Sequence, residues 1–245
     1  MFPLRDMHPT RVRPGITILV ILANLAVFFA WQPHAGVEAV TFLYERAAIP
    51  CEIVTGRPLT LAEIESGLCM REAPAAAAVF NEKVVALSAV TSLFLHGGFL
   101  HLAGNMWFLW VFGNNVEEAY GRAGYLVLYL LAGVGATGAY VALNPSSTIP
   151  LVGASGAIAG VLGAYFILYP GHWLISLITF YVLPVPAVIF LGLWFIAQFM
   201  IDQPGVAWEA HAAGFIIGMV VSLLFRGPLL ARVRRLHGVP VHRYN

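Results

Sequence analysis

From Gly15 to Trp31 the chain carries no Asp, Glu, Lys or Arg, and the same holds for residues 99–113, 124–143, 155–169, 186–201 and 210–225. Uncharged apolar runs of this length are what a helix needs to cross the hydrocarbon layer of a bilayer. The overall balance excludes the alternative of a water-soluble globule: only 10% of residues are charged, against about a quarter in soluble domains, while 60% are hydrophobic. The runs predict an all-α membrane protein, a bundle of six transmembrane helices over residues 15–226. A polar tail of residues 1–14 precedes it, a long loop of residues 32–88 is inserted after the first span, and a basic tail of residues 227–245 follows. The first run lacks a small-x-small cleavage site and further runs follow it, so it reads as a retained helix.

Charge placement orients the bundle. Arg5, Arg11 and Arg13 lie before the first run, Arg226, Arg232, Arg234, Arg235 and Arg243 after the last, and Arg122 between the second and third. With six spans all of these cations share one side. The loop after the first span, with Glu38, Glu45, Glu52, Glu63, Glu65, Glu72 and Glu82, falls on the other. The positive-inside tendency then makes both termini cytoplasmic. The compact form suggests a bacterial inner membrane. Within the loop, alternating and alanine-rich segments (59–65 and 74–80) suit short helices on the bilayer surface better than strands. Both cysteines, Cys51 and Cys69, lie there. A disulfide between them would be worth about 3 kcal/mol by loop entropy, but spacing alone does not show that their Cα atoms meet, and two free thiols remain equally open.

Alternating direction gives the second, fourth and sixth helices the same sense, so the residues near their starts lie at one depth, a little below the outer surface. Those residues are His101 and Asn105, four apart on one helix face, Ser155, and His211. Ser155 sits in Val152-Gly153-Ala154-Ser155-Gly156-Ala157-Ile158-Ala159-Gly160, and a serine among small residues also serves plain helix packing. The glycines favour more. Gly156 and Gly160 form a small-residue ridge beside Ser155, and His211, Gly214 and Gly218 share one face of the sixth helix, so packing these faces would bring the imidazole to the hydroxyl. A hydroxyl and an imidazole held together in a low-dielectric site make a nucleophile and its general base.

No carboxylate is placed to complete a triad. The two aspartates are Asp6, in the tail, and Asp202, in a turn, while Glu209 lies on nearly the opposite helix face from His211. A Ser-His dyad is therefore expected. His101, Asn105 and the Ser155 backbone N–H are then candidates to hold a tetrahedral oxyanion. Ionisable groups inside a membrane are costly enough that a functional role is the default for both histidines. His96 is expected at the interface, and His8, His34, His172, His237 and His242 in or near water.

Taken in order, His101-x-x-x-Asn105, Gly153-Ala154-Ser155-Gly156 and His211-Ala212-Ala213-Gly214-Phe215-Ile216-Ile217-Gly218 resemble the rhomboid family of intramembrane serine proteases. The likeness extends from about Gly15 to Phe225. It implies Ser155 as nucleophile, His211 as general base, and His101, Asn105 and the Ser155 amide as the oxyanion site. It also implies single-span membrane proteins as substrates, cut near the outer surface with neither metal nor cofactor; nucleic acid is not an expected partner. Two places depart from the family pattern. Where some members have Trp-Arg before the second helix this chain reads Leu87-Ser88, and Ala159 stands where some have a tyrosine packed on the imidazole. The fifth run presents Phe190, Trp194, Phe195 and Phe199 at helical spacing, a stripe suited to packing or lipid contact, and family behaviour implies that this helix and the 202–209 turn move to admit substrate. Two other functions compete: a catalytically inactive rhomboid-like scaffold that binds membrane proteins, and a transporter. The second is disfavoured because the polar residues gather at one depth.

Overall fold

The computed structural model describes residues 1–72, 74, 77–200 and 205–238. Asp202, the first part of the 202–209 turn, the last residue of the fifth run, His242 and Arg243 lie outside them. Helix α1 (Gly15–Ala30) is followed in the long loop by α2 (Gly36–Arg46), α3 (Pro50–Thr55), α4 (Leu61–Ser66) and α5 (Val85–Thr91). Then come α6 (Phe99–Leu143), α7 (Ser155–Leu168), α8 (Ala187–Met200), α9 (Trp208–Leu224) and α10 (Arg226–His237). By length and composition, α6, taken across its break, is the one described helix long and apolar enough to cross a membrane; α9 qualifies only together with α10, across a 75° bend. Helices α1, α7 and α8 are apolar but shorter. At 1.5 Å per residue the 14 residues of α7 rise only about 21 Å.

The break between the second and third runs is narrowed to Gly121, whose non-helical φ of 71° and ψ of 166° a side chain would resist; the two helical segments on either side, labelled together α6, fold back on each other there, with the Tyr125 hydroxyl against Gly113. Residues 114–120 of the polar stretch stay helical up to that break because their acids have work to do at the start of α1. The Glu117 carboxylate accepts from the N–H groups of Ile16 and Thr17 and from the Thr17 hydroxyl at 2.8–2.9 Å. Glu118 accepts from the N–H groups of Arg11 and Val12. These are the unpaired donors of a helix start and of the segment leading into it, satisfied by buried carboxylates.

Strands add to the expected all-α bundle. β1 (Phe2–Asp6), β2 (Trp173–Ile178) and β3 (Tyr181–Pro186) form an antiparallel sheet in the order β1-β2-β3. Residues 173–186, just before and into the fifth run, are a hairpin because Ile, Val and Tyr favour a pleated ribbon, and Pro3 and Pro184 sit on the two outer strands, where a missing N–H costs least. The N-terminal tail is thereby tied to the bundle. Trp107 Nε1 donates to the Pro3 carbonyl at 2.6 Å, Phe2 stacks on Trp107, and Asp6 accepts from Asn115 Nδ2 at 2.7 Å and from the Tyr165 hydroxyl. His8 and His172, expected in or near water, stack on each other with centroids 3.7 Å apart beside the same carboxylate. Burial pushes the Asp6 carboxyl up, but its bonds to His172, Tyr165 and the His8 N–H outweigh that and hold it below the usual carboxylate range.

The long loop is a small folded unit of its own. Cys51 and Cys69, left open between disulfide and thiols, are joined, with Cα atoms 5.8 Å apart. Beside the bridge Arg57 makes a two-pronged pair with Glu63 at 2.8 and 2.9 Å, and the same carboxylate accepts from the N–H groups of Thr60 and Met70. Lys83, 2% exposed at its side chain, is held by Glu52 at 2.5 Å and by the carbonyls of Tyr44 and Ala47. These contacts, with Leu87-Ser88 in place of Trp-Arg, anchor the loop. They carry it to the site: the Ser92 hydroxyl accepts from Ala48 N–H, Ala48 bridges to Leu151, and Gly153 N–H donates to the Ser92 carbonyl.

Arg57 holds the Glu63 carboxyl down to about 2, against the opposing effect of burial. A carboxyl lowered by folding stabilises fully above its unfolded value, near 4.5, and that contribution is lost as pH falls from there towards 2. Proteolysis of the loop in detergent-solubilised protein is expected to accelerate through that window in the parent. In Glu63→Gln it should already be fast at neutral pH and respond far less to acid.

Candidate active site

Helix α7 is held between two neighbours by its small residues. A β-carbon added at Gly156 or Gly160 would collide with Ala136 or Ala132 of α6, and one added at Gly214 or Gly218 of α9 would run into the carbonyl oxygens of Gly156 and Gly160. The α7 and α9 backbones therefore touch directly, the closest packing in the bundle. That approach sets the distance between the first residue of α7, Ser155, and His211 in the first turn of α9.

His211 Nε2 lies 2.8 Å from Ser155 Oγ. Both line a cavity of about 1130 Å³ together with His101, Asn105 and Gly153. Gly153 has a φ of 123° and lies against the His101 ring, where a β-carbon would stand 2.8 Å from Nε2, so strain and space both reserve the position for glycine. Gly97 N–H points at His101 Nδ1 at 3.4 Å, which makes Nδ1 the acceptor and leaves the proton on Nε2, the nitrogen near Gly153. Asn105 is 8% exposed, and its side-chain Nδ2 is buried without a hydrogen-bond partner among the described residues. An orphaned amide donor on the wall of this cavity is costly unless something arrives to accept from it. Ser155 N–H, at the first position of its helix, is a further donor without an intrahelical acceptor.

His96, expected at the interface, packs inside the protein. It is fully buried, with its ring edge-on to His101 at 5.1 Å, because Gln32 bonds both its N–H and its carbonyl and pins the end of α1 to the start of α6. Glu209 is turned away from the imidazole and accepts from Asn144 Nδ2 at 3.2 Å. Most of the aromatic stripe of α8 faces the bundle: Phe190 is buried against Phe112, Phe195 stacks on Phe215, and Trp194 lies alongside His211 with centroids 6.3 Å apart, while Phe199 is exposed.

Sequence reasoning missed one neighbour of the pair. Gln198 of α8 places Oε1 2.9 Å from His211 Nδ1. A signal was present: among the residues of the fifth run, Gln198 alone has a hydrogen-bonding side chain other than the Trp194 indole. The aromatic stripe around it drew attention elsewhere.

A family model described as the Rhomboid domain matches residues 85–228, more than half of the 245. The chain belongs to the rhomboid family. It is 44% identical over 75 residues to the rhomboid protease GluP of Bacillus subtilis, a stretch covering 31% of this chain and 14% of that protein. It is 32% identical over 156 residues to the rhomboid protease AarA of Providencia stuartii (55% of this chain, 54% of the relative). With the mitochondrial Rhomboid protein 1 of Saccharomyces cerevisiae it shares 33% over 147 residues (55% and 40%). The chain thus spans about half or less of the length of these relatives. As a rhomboid-family chain it is an integral membrane protein, and the Ser155–His211 contact lies inside the matched region.

Proposed function

We propose that this rhomboid-family chain is a serine endopeptidase that cuts single-span membrane proteins within the bilayer, near its outer surface, using Ser155 and His211 as a dyad. The observation that carries the reading is the 2.8 Å contact between His211 Nε2 and Ser155 Oγ in a cavity that also holds an unpaired Asn105 amide. In the reaction, His211 Nε2 takes the hydroxyl proton as Oγ attacks the scissile carbonyl. Asn105 Nδ2, the Nε2–H of His101 and the Ser155 N–H stabilise the oxyanion. His211 returns the proton to the leaving amine, and water then hydrolyses the acyl-enzyme by the same route. No step calls on a metal or cofactor.

The topology proposed with this activity has six spans, α6 supplying the second and third, in a domain of residues 15–226 flanked by the tails 1–14 and 227–245. Both termini face the cytoplasm of a bacterium whose inner membrane holds the protein. The Cys51–Cys69 bridge supports the orientation, since disulfides persist on the oxidising side. Partners are the lipid bilayer and transmembrane substrates, with no role for nucleic acid.

A fluorophosphonate probe on protein reconstituted in liposomes tests the reading. Expected are a single adduct on the peptide carrying Ser155 and, in parallel, cleavage of a fluorescent single-span substrate. Neither adduct nor cleavage would return the chain to the inactive-scaffold alternative.

A further inference from the structure

We infer that Gln198 is a positioning residue for His211, acting as a neutral third member of the site that no carboxylate among the described residues supplies. The inference rests on the dyad reading above and deepens it. The carrying observation is the pair of contacts on the Gln198 amide: Oε1 meets His211 Nδ1 at 2.9 Å, and Nε2 donates to the Trp194 carbonyl at 3.0 Å.

Which way the amide faces decides the chemistry. The Trp194 oxygen only accepts, so the NH₂ end must point to it, and Oε1 must then face the ring. An acceptor at that place puts the imidazole proton on Nδ1. Nε2 is left with a free lone pair toward Ser155 Oγ, the tautomer a general base needs. With the amide reversed, Nδ1 would be the acceptor and Nε2 would carry the proton. The hydroxyl proton would then have nowhere to go, and the amide oxygen would face the Trp194 carbonyl, acceptor against acceptor.

Trp194 limits the ring in a second way. Its indole lies alongside the imidazole at an interplanar angle of 33°, on the same helix face one turn before Gln198. Ala159 is too short to do this from α7. The two groups that orient His211 therefore both come from α8, and the proton-accepting geometry exists only while α8 stands where it is. A shift of α8 by about 1 Å directly away from the His211 ring would lengthen the Gln198 contact beyond hydrogen-bond range.

Three proteins assayed in liposomes on the same single-span substrate test the inference: the parent, Gln198→Met and Gln198→Glu. Met keeps the length and volume of the side chain and removes the acceptor; Glu, as the neutral acid, keeps an acceptor oxygen for Nδ1 and an O–H donor for the Trp194 carbonyl at the same reach. Gln198→Met is expected to lower kcat roughly 10- to 100-fold, with KM within about 2-fold of the parent, and to slow fluorophosphonate labelling of Ser155 by a similar factor. Gln198→Glu should recover most of the rate. Thermal unfolding midpoints of the three should agree, which separates positioning from packing. If Gln198→Met cleaves and labels at the parental rate, or if Glu fails to rescue a folded protein, the inference falls while the dyad stands. If the parent neither cleaves nor labels, it is the protease reading that falls.

Discussion

Ser155→Ala is expected to reduce cleavage of a reconstituted single-span substrate by about 10⁴-fold or more, and His211→Ala by a comparable factor. The size follows from the arrangement. The hydroxyl and imidazole touch at 2.8 Å, so each acts only through the other: without His211 the hydroxyl has no acceptor for its proton, and without Ser155 the imidazole has nothing to activate. The losses should not multiply. The double variant Ser155→Ala/His211→Ala is expected to be no slower than Ser155→Ala, since the first substitution has already removed what the second could disturb. A double variant slower by the product of the two factors would mean that the residues act independently, and substantial cleavage by either single variant would sink the assignment. Both side chains are only partly buried and line a cavity, so truncation to alanine should leave the unfolding midpoint nearly unchanged.

The legible and illegible parts of this site separate along a physical line. Ser155, His211, His101 and Asn105 could be singled out because each is a costly polar group in an apolar run, and because the direction of a helix, once it spans, fixes which end lies at which depth. Gln198 obeys the same cost argument, and alternation puts the end of the fifth run at the same outer level, but depth alone does not say which neighbour it meets. Only the lateral position of α8 brings it to Nδ1. Glu117 and Glu118 show the converse. Their charge sets them apart from the apolar runs on either side, yet the acids are buried because the start of α1 supplies donors about 100 residues away in sequence, and the helix runs on through them as far as Gly121. The sheet was hidden for a similar reason, since β1 is a strand only by virtue of pairing with residues 173–178. Local pattern identifies which residues are expensive. It does not identify their partners when these come from another segment.

Gly218→Val should be the most damaging substitution away from the catalytic groups. Gly218 lies where α9 crosses α7, and a β-carbon there would overlap the Gly160 carbonyl oxygen and carbon. These are backbone atoms in the middle of a helix, so no rotamer change relieves the clash and the helices must separate. Overpacking a core commonly costs 1–3 kcal/mol, and with an unyielding neighbour the expected loss is about 3 kcal/mol or more, read as a lower midpoint of thermal or detergent unfolding. Cleavage should fall as well in whatever fraction remains folded, because the contact that sets the α7–α9 distance also sets the separation of Ser155 and His211, and a shift of about 1 Å is enough to break their hydrogen bond. Gly138→Ala is the control. It lies in α6 with nothing within 4 Å of the added carbon, so alanine there should be neutral or stabilising by up to about 1 kcal/mol through helix propensity. If Gly218→Val matched Gly138→Ala in unfolding midpoint and cleavage rate, α7 and α9 could not be in backbone contact, and the route by which small residues bring His211 to Ser155 would have to be abandoned.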